Sequence, residues 1–237
     1  MDLREIGLLK GDQEQHWYYA SKARVLRRSV ADRAPERILD VGAGSGFFSK
    51  MLLRTTTAQS AVCVDSGYTD DWSEAVDGKP IDFRRHCAAV DADLVLLLDV
   101  LEHVEDDLGF LRSYSDRAKS GTRFIVSVPA FSWLWSHHDE VLQHHRRYTL
   151  SGSLRVLTDA GLSPIAGFYF LAALLPAVSV RRLWQRFGPA SEARVSDLRT
   201  HHPLTNRVLA AICLAESAIA RHNRAFGLTA FVIAEKT

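Results

Sequence analysis

The segment RILDVGAGSGFF, residues 37–48, constrains the chain more than any other. Arg37 to Val41 is a short apolar run carrying one carboxylate, Asp40, near its end. Gly42, Ala43, Gly44, Ser45 and Gly46 follow, and Phe47 to Leu53 then reads as a helix. An apolar run of this kind seeks burial, and a turn this rich in glycine has access to positive φ. Together they predict strand, tight turn and helix in succession.

The rest of the chain repeats that alternation. Gln13 to Val30 reads as a helix, since Tyr19, Ala23, Leu26 and Val30 share a face at helical spacing, with Pro35 ending the connection. Ala61 to Val64 is a second strand ending at Asp65, and Ile81 to Phe83 is a weaker third. Leu94 to Leu98 is an unbroken apolar run ending at Asp99, the pattern of a strand buried on both faces. Helix is expected over Leu101 to Arg117, strand over Phe124 to Val128 before Pro129, helix over Leu154 to Ala160 and strand over Ile165 to Phe170. Pro203 to His222 reads as helix, since Leu204, Val208, Ala211, Ala215 and Ile219 share a face, and Thr229 to Ala234 is the final strand. Strands alternating with helices imply right-handed crossovers and a parallel sheet whose binding crevice lies at the carboxyl ends of the strands. Asp40, Asp65 and Asp99 all fall at such ends.

The glycine spacing is GxGxG, not the GxGxxG that brings a helix N-terminus onto a pyrophosphate. Asp40, just before the turn, would oppose a pyrophosphate but attract a ligand carrying an ammonium or sulfonium group. S-adenosylmethionine has both cations and no phosphate. Asp65, at the end of the second strand, is placed to accept hydrogen bonds from ribose hydroxyls. It would do the same for NAD, so an NAD-dependent oxidoreductase stands as an alternative reading.

ILDVGAGSGFFSKML, VCVDS and LVLLLDVLEHVEDD together resemble the first, second and fourth motifs of class I S-adenosylmethionine-dependent methyltransferases. The DVLEHV form is similar to the small-molecule branch that includes the ubiquinone-biosynthesis O-methyltransferases. LWSHHDEVLQHHRRYT and HWYYASKARVL resemble segments of a subset associated with lipid, quinone or cell-surface sugar pathways, so the resemblance runs from His16 to the last strand. It implies an α/β, Rossmann-like seven-stranded sheet with helices on both faces and an antiparallel last strand, here with an N-terminal helix and an insertion after strand 5. It also implies methyl transfer from S-adenosylmethionine to a small-molecule or lipid-linked acceptor, expected at oxygen. Asp40, Gly42, Ala43, Gly44 and Gly46 are then cofactor-binding residues, as are Asp65, Ser66 and Asp99. One departure stands out. Relatives carry an acid after the third strand that contacts the adenine amino group, where this chain reads His86-Cys87-Ala88-Ala89. Backbone groups near Cys87 and Ala88 are left for that contact.

Methyl transfer from a sulfonium needs alignment and a deprotonated acceptor, so one positioned base suffices. Candidates are His103 and the cluster His137, His138, Asp139, Glu140, His144 and His145, inside the aromatic and basic stretch Phe131 to Tyr148. His138 with Asp139, or His144, fits the role, because a neighbouring carboxylate orients and strengthens an imidazole. The same residues serve equally as a solvated loop or as hydrogen-bond partners of Arg146 and Arg147, and His103 serves equally in helix packing. Asp99, Glu102 and His103 resemble the acid-acid-histidine arrangement of the ubiquinone enzymes, where a divalent cation assists catechol binding. A metal is not favoured here, since a cofactor site already explains Asp99 and a helix N-terminus explains Glu102. Arg146, Arg147 and Tyr148 either clamp an anionic substrate group or anchor the loop to Asp139 and Glu140. Trp17, Tyr18, Trp133 and Trp135 either wall an apolar substrate pocket or pack as core.

Composition removes several classes. Lys+Arg number 29 against 28 Asp+Glu, so a large phosphate-binding face for nucleic acid is not expected. Three scattered cysteines fit neither a disulfide framework nor a cysteine-rich zinc site. With no signal-peptide pattern at the start, they point to a cytoplasmic location. One domain is expected over residues 1–237, with a helical cap (1–36), a cofactor-binding half (37–130) and a substrate-side half (131–237) that carries the loop 131–149. Ala160 to Val180 holds no charge over 21 positions, but Gly161, Pro164, Gly167 and Pro176 interrupt it, which argues against a membrane span. Leu171 to Val180 leads into Arg181, Arg182, Leu183, Trp184 and Arg186, as in interfacial helices, so residues 171–186 either pack beneath the His/Arg loop or make peripheral contact at the inner membrane surface. A non-catalytic module of the same fold, binding a partner protein, is the remaining alternative.

Overall fold

A computed structural model describes residues 13–87, 89–187 and 202–237. Ala88 and the side chain of Arg186, both singled out above, lie outside the described residues, as do residues 1–12. The first half runs helix α1 (Trp17–Ser29), β1 (Arg37–Val41), α2 (Phe47–Thr55), β2 (Ser60–Val64), β3 (Trp72–Val76), β4 (Lys79–Arg84) and β5 (Leu94–Leu98). The second runs α3 (Asp107–Ser115), β6 (Arg123–Pro129), α4 (His137–Val141), α5 (Leu150–Asp159), β7 (Leu162–Phe170), α6 (Leu175–Phe187), α7 (Pro203–Ser217) and β8 (Thr229–Lys236).

The strands form one sheet in the order β3-β4-β2-β1-β5-β6-β8-β7. The five from β4 to β6 are parallel, and β8 runs antiparallel between β6 and β7. All five residues of β5 are buried, as a strand covered on both faces requires. Tyr19 and Leu26 of α1, Phe48 and Leu52 of α2 and Cys213 of α7 pack on one face of the sheet. Leu111 and Tyr114 of α3 and Leu157 of α5 pack on the other.

The sheet has eight strands among the described residues, one more than the seven expected. The addition is β3, which hairpins onto β4 through Asp77 (φ 51°) and Gly78 (φ 79°). Two successive positive-φ residues make the tight turn that matches strand twist, and Asp-Gly is a favoured pair for it. Four of the five β3 residues are exposed, so no apolar alternation announces the strand. The helix expected over Leu101 to Arg117 is also shorter. Leu101 to His103 forms only a 3-10 turn, because the Asp106 side chain accepts the Gly109 N–H at 2.9 Å and starts α3 afresh. The chain after β6 is not an open loop, since residues 131–149 contain a 3-10 turn (Ser132–Leu134) and α4. In α7, finally, the apolar face that marks it as a helix points outward, while Cys213 and Ser217 make the buried contacts.

Candidate active site

The strand order reverses direction of growth at β1, which has β2 on one side and β5 on the other. This switch point opens a crevice at the carboxyl ends of the strands. Two cavities occupy it. A cleft of about 740 Å³ is lined by Gly42, Asp65, Ser66, Cys87, Asp99 and His103, among others. A more apolar cavity of about 310 Å³ is lined by Trp17, Tyr18, His138, His144, Leu174 and Leu228, among others. Asp99, His103 and Leu142 belong to both, so the two spaces meet there.

The glycine turn is fixed from below. Gly42, Gly44 and Gly46 all have positive φ, and the N–H groups of Gly42 and Ala43 donate to the Val64 carbonyl at 2.7 and 3.2 Å. Gly46 cannot carry a side chain, because a Cβ there would lie 2.8 Å from the Phe83 ring. Asp65 braces the turn, accepting the Gly44 N–H at 3.0 Å on one oxygen and the Gly67 N–H at 2.9 Å on the other. A carboxylate has about four acceptor sites, so two remain for a ligand in the cleft.

Asp40 differs from expectation. Its carboxylate is 3% exposed, lines neither cavity, and accepts the Ser49 hydroxyl at 2.8 Å. Burial pushes its pKa up to about 6, against the pull of that hydrogen bond. Asp40 therefore ties α2 to β1, and the acids that face the cleft are Asp65 and Asp99. Ala43, Gly44 and Gly46 likewise shape the turn and do not line the cleft.

Asp99 stands at the junction with a left-handed backbone (φ 55°). Its carboxylate accepts from the Tyr18 hydroxyl at 2.9 Å, from the Ser127 hydroxyl at 3.2 Å, and from the Lys22 ammonium. Burial pushes this carboxyl up, but the Lys22 charge and the hydrogen bonds from Lys22 and Tyr18 outweigh it, and the pKa falls below the ordinary value. Lys22 is 1% exposed and was not singled out from sequence. Its spacing from Tyr18, one helical turn along α1, is the signal that would have found it.

Asp139 is fully buried and gathers the loop around itself. It accepts His144 Nδ1–H at 2.9 Å, Arg147 Nε–H at 2.7 Å and Nη2–H at 3.0 Å, and the Ser136 backbone N–H at 2.9 Å. Burial raises its pKa, yet the hydrogen bonds from His144 and Arg147 and the guanidinium charge hold the carboxyl well below the usual carboxylate range. Asp139 thus pairs with His144, and the His138 ring lies 6.3 Å from that of His144. The His103 ring sits 4.6 Å from His144, nearly perpendicular to it. Glu102 is 1% exposed and lines the smaller cavity, with Oε2 lacking a hydrogen-bond partner; burial and the Asp99 charge push its carboxyl far up. Ligand atoms of Glu102, His103 and His144 lie within 4.8 Å of one another, a set that could hold a metal ion.

Several expected substrate contacts turn out to be anchors. Arg147 lines the smaller cavity but commits its guanidinium to Asp139 and the Ala130 carbonyl. Arg146 pairs with Asp107 at 3.3 Å and donates to the Glu105 carbonyl, away from both cavities. The Tyr148 hydroxyl is buried and donates to Asp107 at 2.6 Å. Trp135 lines neither cavity. Trp17 and Tyr18 do form cavity wall, and Cys87 lines the cleft where the adenine contact was expected.

No curated protein matches the chain significantly by sequence. Among solved structures, the complex of the Haloferax volcanii Trm112 methyltransferase activator with a candidate methyltransferase matches at 19% identity and TM-score 0.55, over 96% of this chain and 92% of that one. A Bacillus halodurans protein described as a candidate methyltransferase matches at 14% identity and TM-score 0.53, over 91% and 99%. Human N-acetylserotonin methyltransferase, solved with S-adenosylmethionine, matches at 12% and 0.53, over 98% and 55%. At these identities the likeness shows the fold. The sequence family described as methyltransferase domain matches residues 14–188, most of the chain and all the strand ends that build the cleft. The chain belongs to that family: it is a class I S-adenosylmethionine-dependent methyltransferase.

Proposed function

We propose that the larger cleft holds S-adenosylmethionine, that the smaller cavity holds a small-molecule or lipid-linked acceptor, and that the acceptor is methylated at oxygen. The observation that carries this reading is the meeting of the two cavities at Asp99 and His103, beside an imidazole fixed on a buried carboxylate. The donor set suits the cofactor. Two carboxylates, Asp65 and Asp99, face the cleft, which favours a cationic ligand with ribose hydroxyls over a pyrophosphate.

Bound there, S-adenosylmethionine supplies an activated methyl group whose sulfur leaving group needs no proton. The chain's own work is alignment and proton removal. Asp65 accepts the ribose hydroxyls, and Asp99 offers its charge to the cationic end. Asp139 takes the proton-bearing Nδ1 of His144, which leaves Nε2 as the basic nitrogen; a hydroxyl held in the smaller cavity loses its proton to it. Glu102, buried beside Asp99 with its carboxyl pushed up by burial, lines the same cavity.

Isothermal titration with S-adenosylhomocysteine tests the cofactor half. Saturable binding is expected in the wild type, and no binding at high micromolar ligand overturns it. His144→Ala is expected to keep that affinity and to lower methyl transfer about 10²-fold or more. A fall in affinity with unchanged turnover would reverse the role given to His144. Enhanced NADH fluorescence on adding the protein would favour the oxidoreductase alternative.

A further inference from the structure

The helices that wall the smaller cavity have a second side. Ala177 and Val178 of α6 and Leu209 of α7 line the cavity, and both helices also turn apolar residues away from it. On α6 these are Val180, Leu183 and Trp184, the last with 76% of its surface exposed. On α7 and the turn after it they are Leu204 at 65%, Val208, and Ile219 at 66%. At 3.6 residues per turn, Leu183 falls on the side of α6 opposite its cavity-lining residues, with Val180 and Trp184 on the flank of that side, and Leu204 falls on the far side of α7 from Leu209. A helix that packs one face on a protein core carries polar residues on the other, and these two do not.

The charges around this face have one sign. Arg207, Arg221 and Arg224 are exposed beside it, Arg181 is exposed at the cavity mouth, and Glu216 is the sole acid of residues 171–187 and 203–228, in a chain whose net charge is only +1. The Glu216 carboxylate is engaged within the fold, accepting the N–H groups of Ala172 at 2.8 Å and Ala173 at 3.1 Å. Exposed aliphatic and indole side chains set among arginines complement a surface that offers hydrocarbon below negative charge. A second copy meeting this face about a twofold axis would set arginines against arginines. Among the described residues no helix is long and apolar enough to cross a membrane.

We propose that α6 and α7 dock on an anionic lipid bilayer, and that the methyl acceptor is an amphiphile which enters the cavity walled by these helices from that bilayer. The second half rests on the assignment of the smaller cavity to the acceptor; the docking does not.

The test is sedimentation of the full chain with vesicles of phosphatidylcholine alone, or of phosphatidylcholine and phosphatidylglycerol in equal parts, at low and high salt. The wild type is expected to pellet with the anionic vesicles, less at high salt, and to shift its tryptophan emission to the blue. Replacing both exposed residues, Leu183→Asp with Trp184→Asp, is expected to lower vesicle affinity at least roughly tenfold. The same variant should bind S-adenosylhomocysteine as the wild type does, which shows that it is folded. Recovery of the wild type in the supernatant at every salt concentration, or equal pelleting of the variant, overturns the docking. So does a wild-type dimer by light scattering that the variant abolishes. Pelleting of a protein that fails to bind S-adenosylhomocysteine would uphold the docking and sink the cofactor assignment instead.

Discussion

Replacing Asp139 by Asn tests the centre of the site most directly. The substitution keeps the shape of the side chain and removes its charge, so Arg147, whose side chain is 8% exposed, is left buried without a counter-ion. Removing one member of a buried pair costs about 3–5 kcal/mol, because the other member's desolvation is no longer offset. Arg147 keeps its 3.2 Å bond to the Ala130 carbonyl, and the asparagine oxygen still accepts one N–H, which places the loss near about 3 kcal/mol. Combining Asp139→Asn with Arg147→Met removes both charges, and the double variant should lose less than the sum of the singles by about 1–3 kcal/mol. The sign of the pH dependence follows from the lowered carboxyl of Asp139. A group whose pKa falls on folding stabilises fully above its unfolded value, about pH 4, and that contribution drains away as the pH drops below it. The wild type should therefore lose stability below that pH more steeply than Asp139→Asn. Urea unfolding across a pH series measures all three quantities. A loss under about 1 kcal/mol at neutral pH, or strict additivity in the cycle, would refute the account of Asp139 as the loop's buried counter-ion.

Two further outcomes follow from the geometry. Gly46→Ala and Gly78→Ala both force a side chain onto left-handed backbone, costing about 1–2 kcal/mol each, but only at Gly46 does the new Cβ meet Phe83 at 2.8 Å and Cys63 at 3.2 Å. Thermal unfolding should rank Gly46→Ala lower by about 1–3 kcal/mol, and equal losses would remove the packing argument. Lys22→Met takes away the charge that holds the Asp99 carboxyl low. Affinity for S-adenosylhomocysteine, titrated calorimetrically at falling pH, should then weaken at a higher pH than in the wild type, and superimposable profiles would exclude Asp99 from the cofactor's cationic end.

Much of the site's frame is legible in residues that stand next to one another. Asp65 and Asp99 were placed at the crevice because each ends an apolar run, and they line the cleft. Asp40 was placed there on the same ground, yet within the fold it turns inward to Ser49, nine positions away on α2. Adjacency to a turn says which strand end a residue occupies, not which way its side chain points. The hairpin strand β3 was missed because exposed residues carry no period, although Asp77-Gly78 held the turn signal.

What the sequence determined by itself is the alternation of buried strands and helices, the glycine turn, and the acids at the strand ends, all consequences of burial and backbone freedom acting over a few residues. Tertiary structure alone decided the partners. Lys22 meets Asp99 across 77 positions, Tyr148 meets Asp107 across 41, and His144 meets Asp139. It also left the apolar face of α7 outside the core. Such pairings depend on where the sheet carries the chain. A charged or hydrogen-bonding side chain is satisfied by whichever opposite group the fold brings within about 3 Å, and nothing in its immediate neighbours records which one that is.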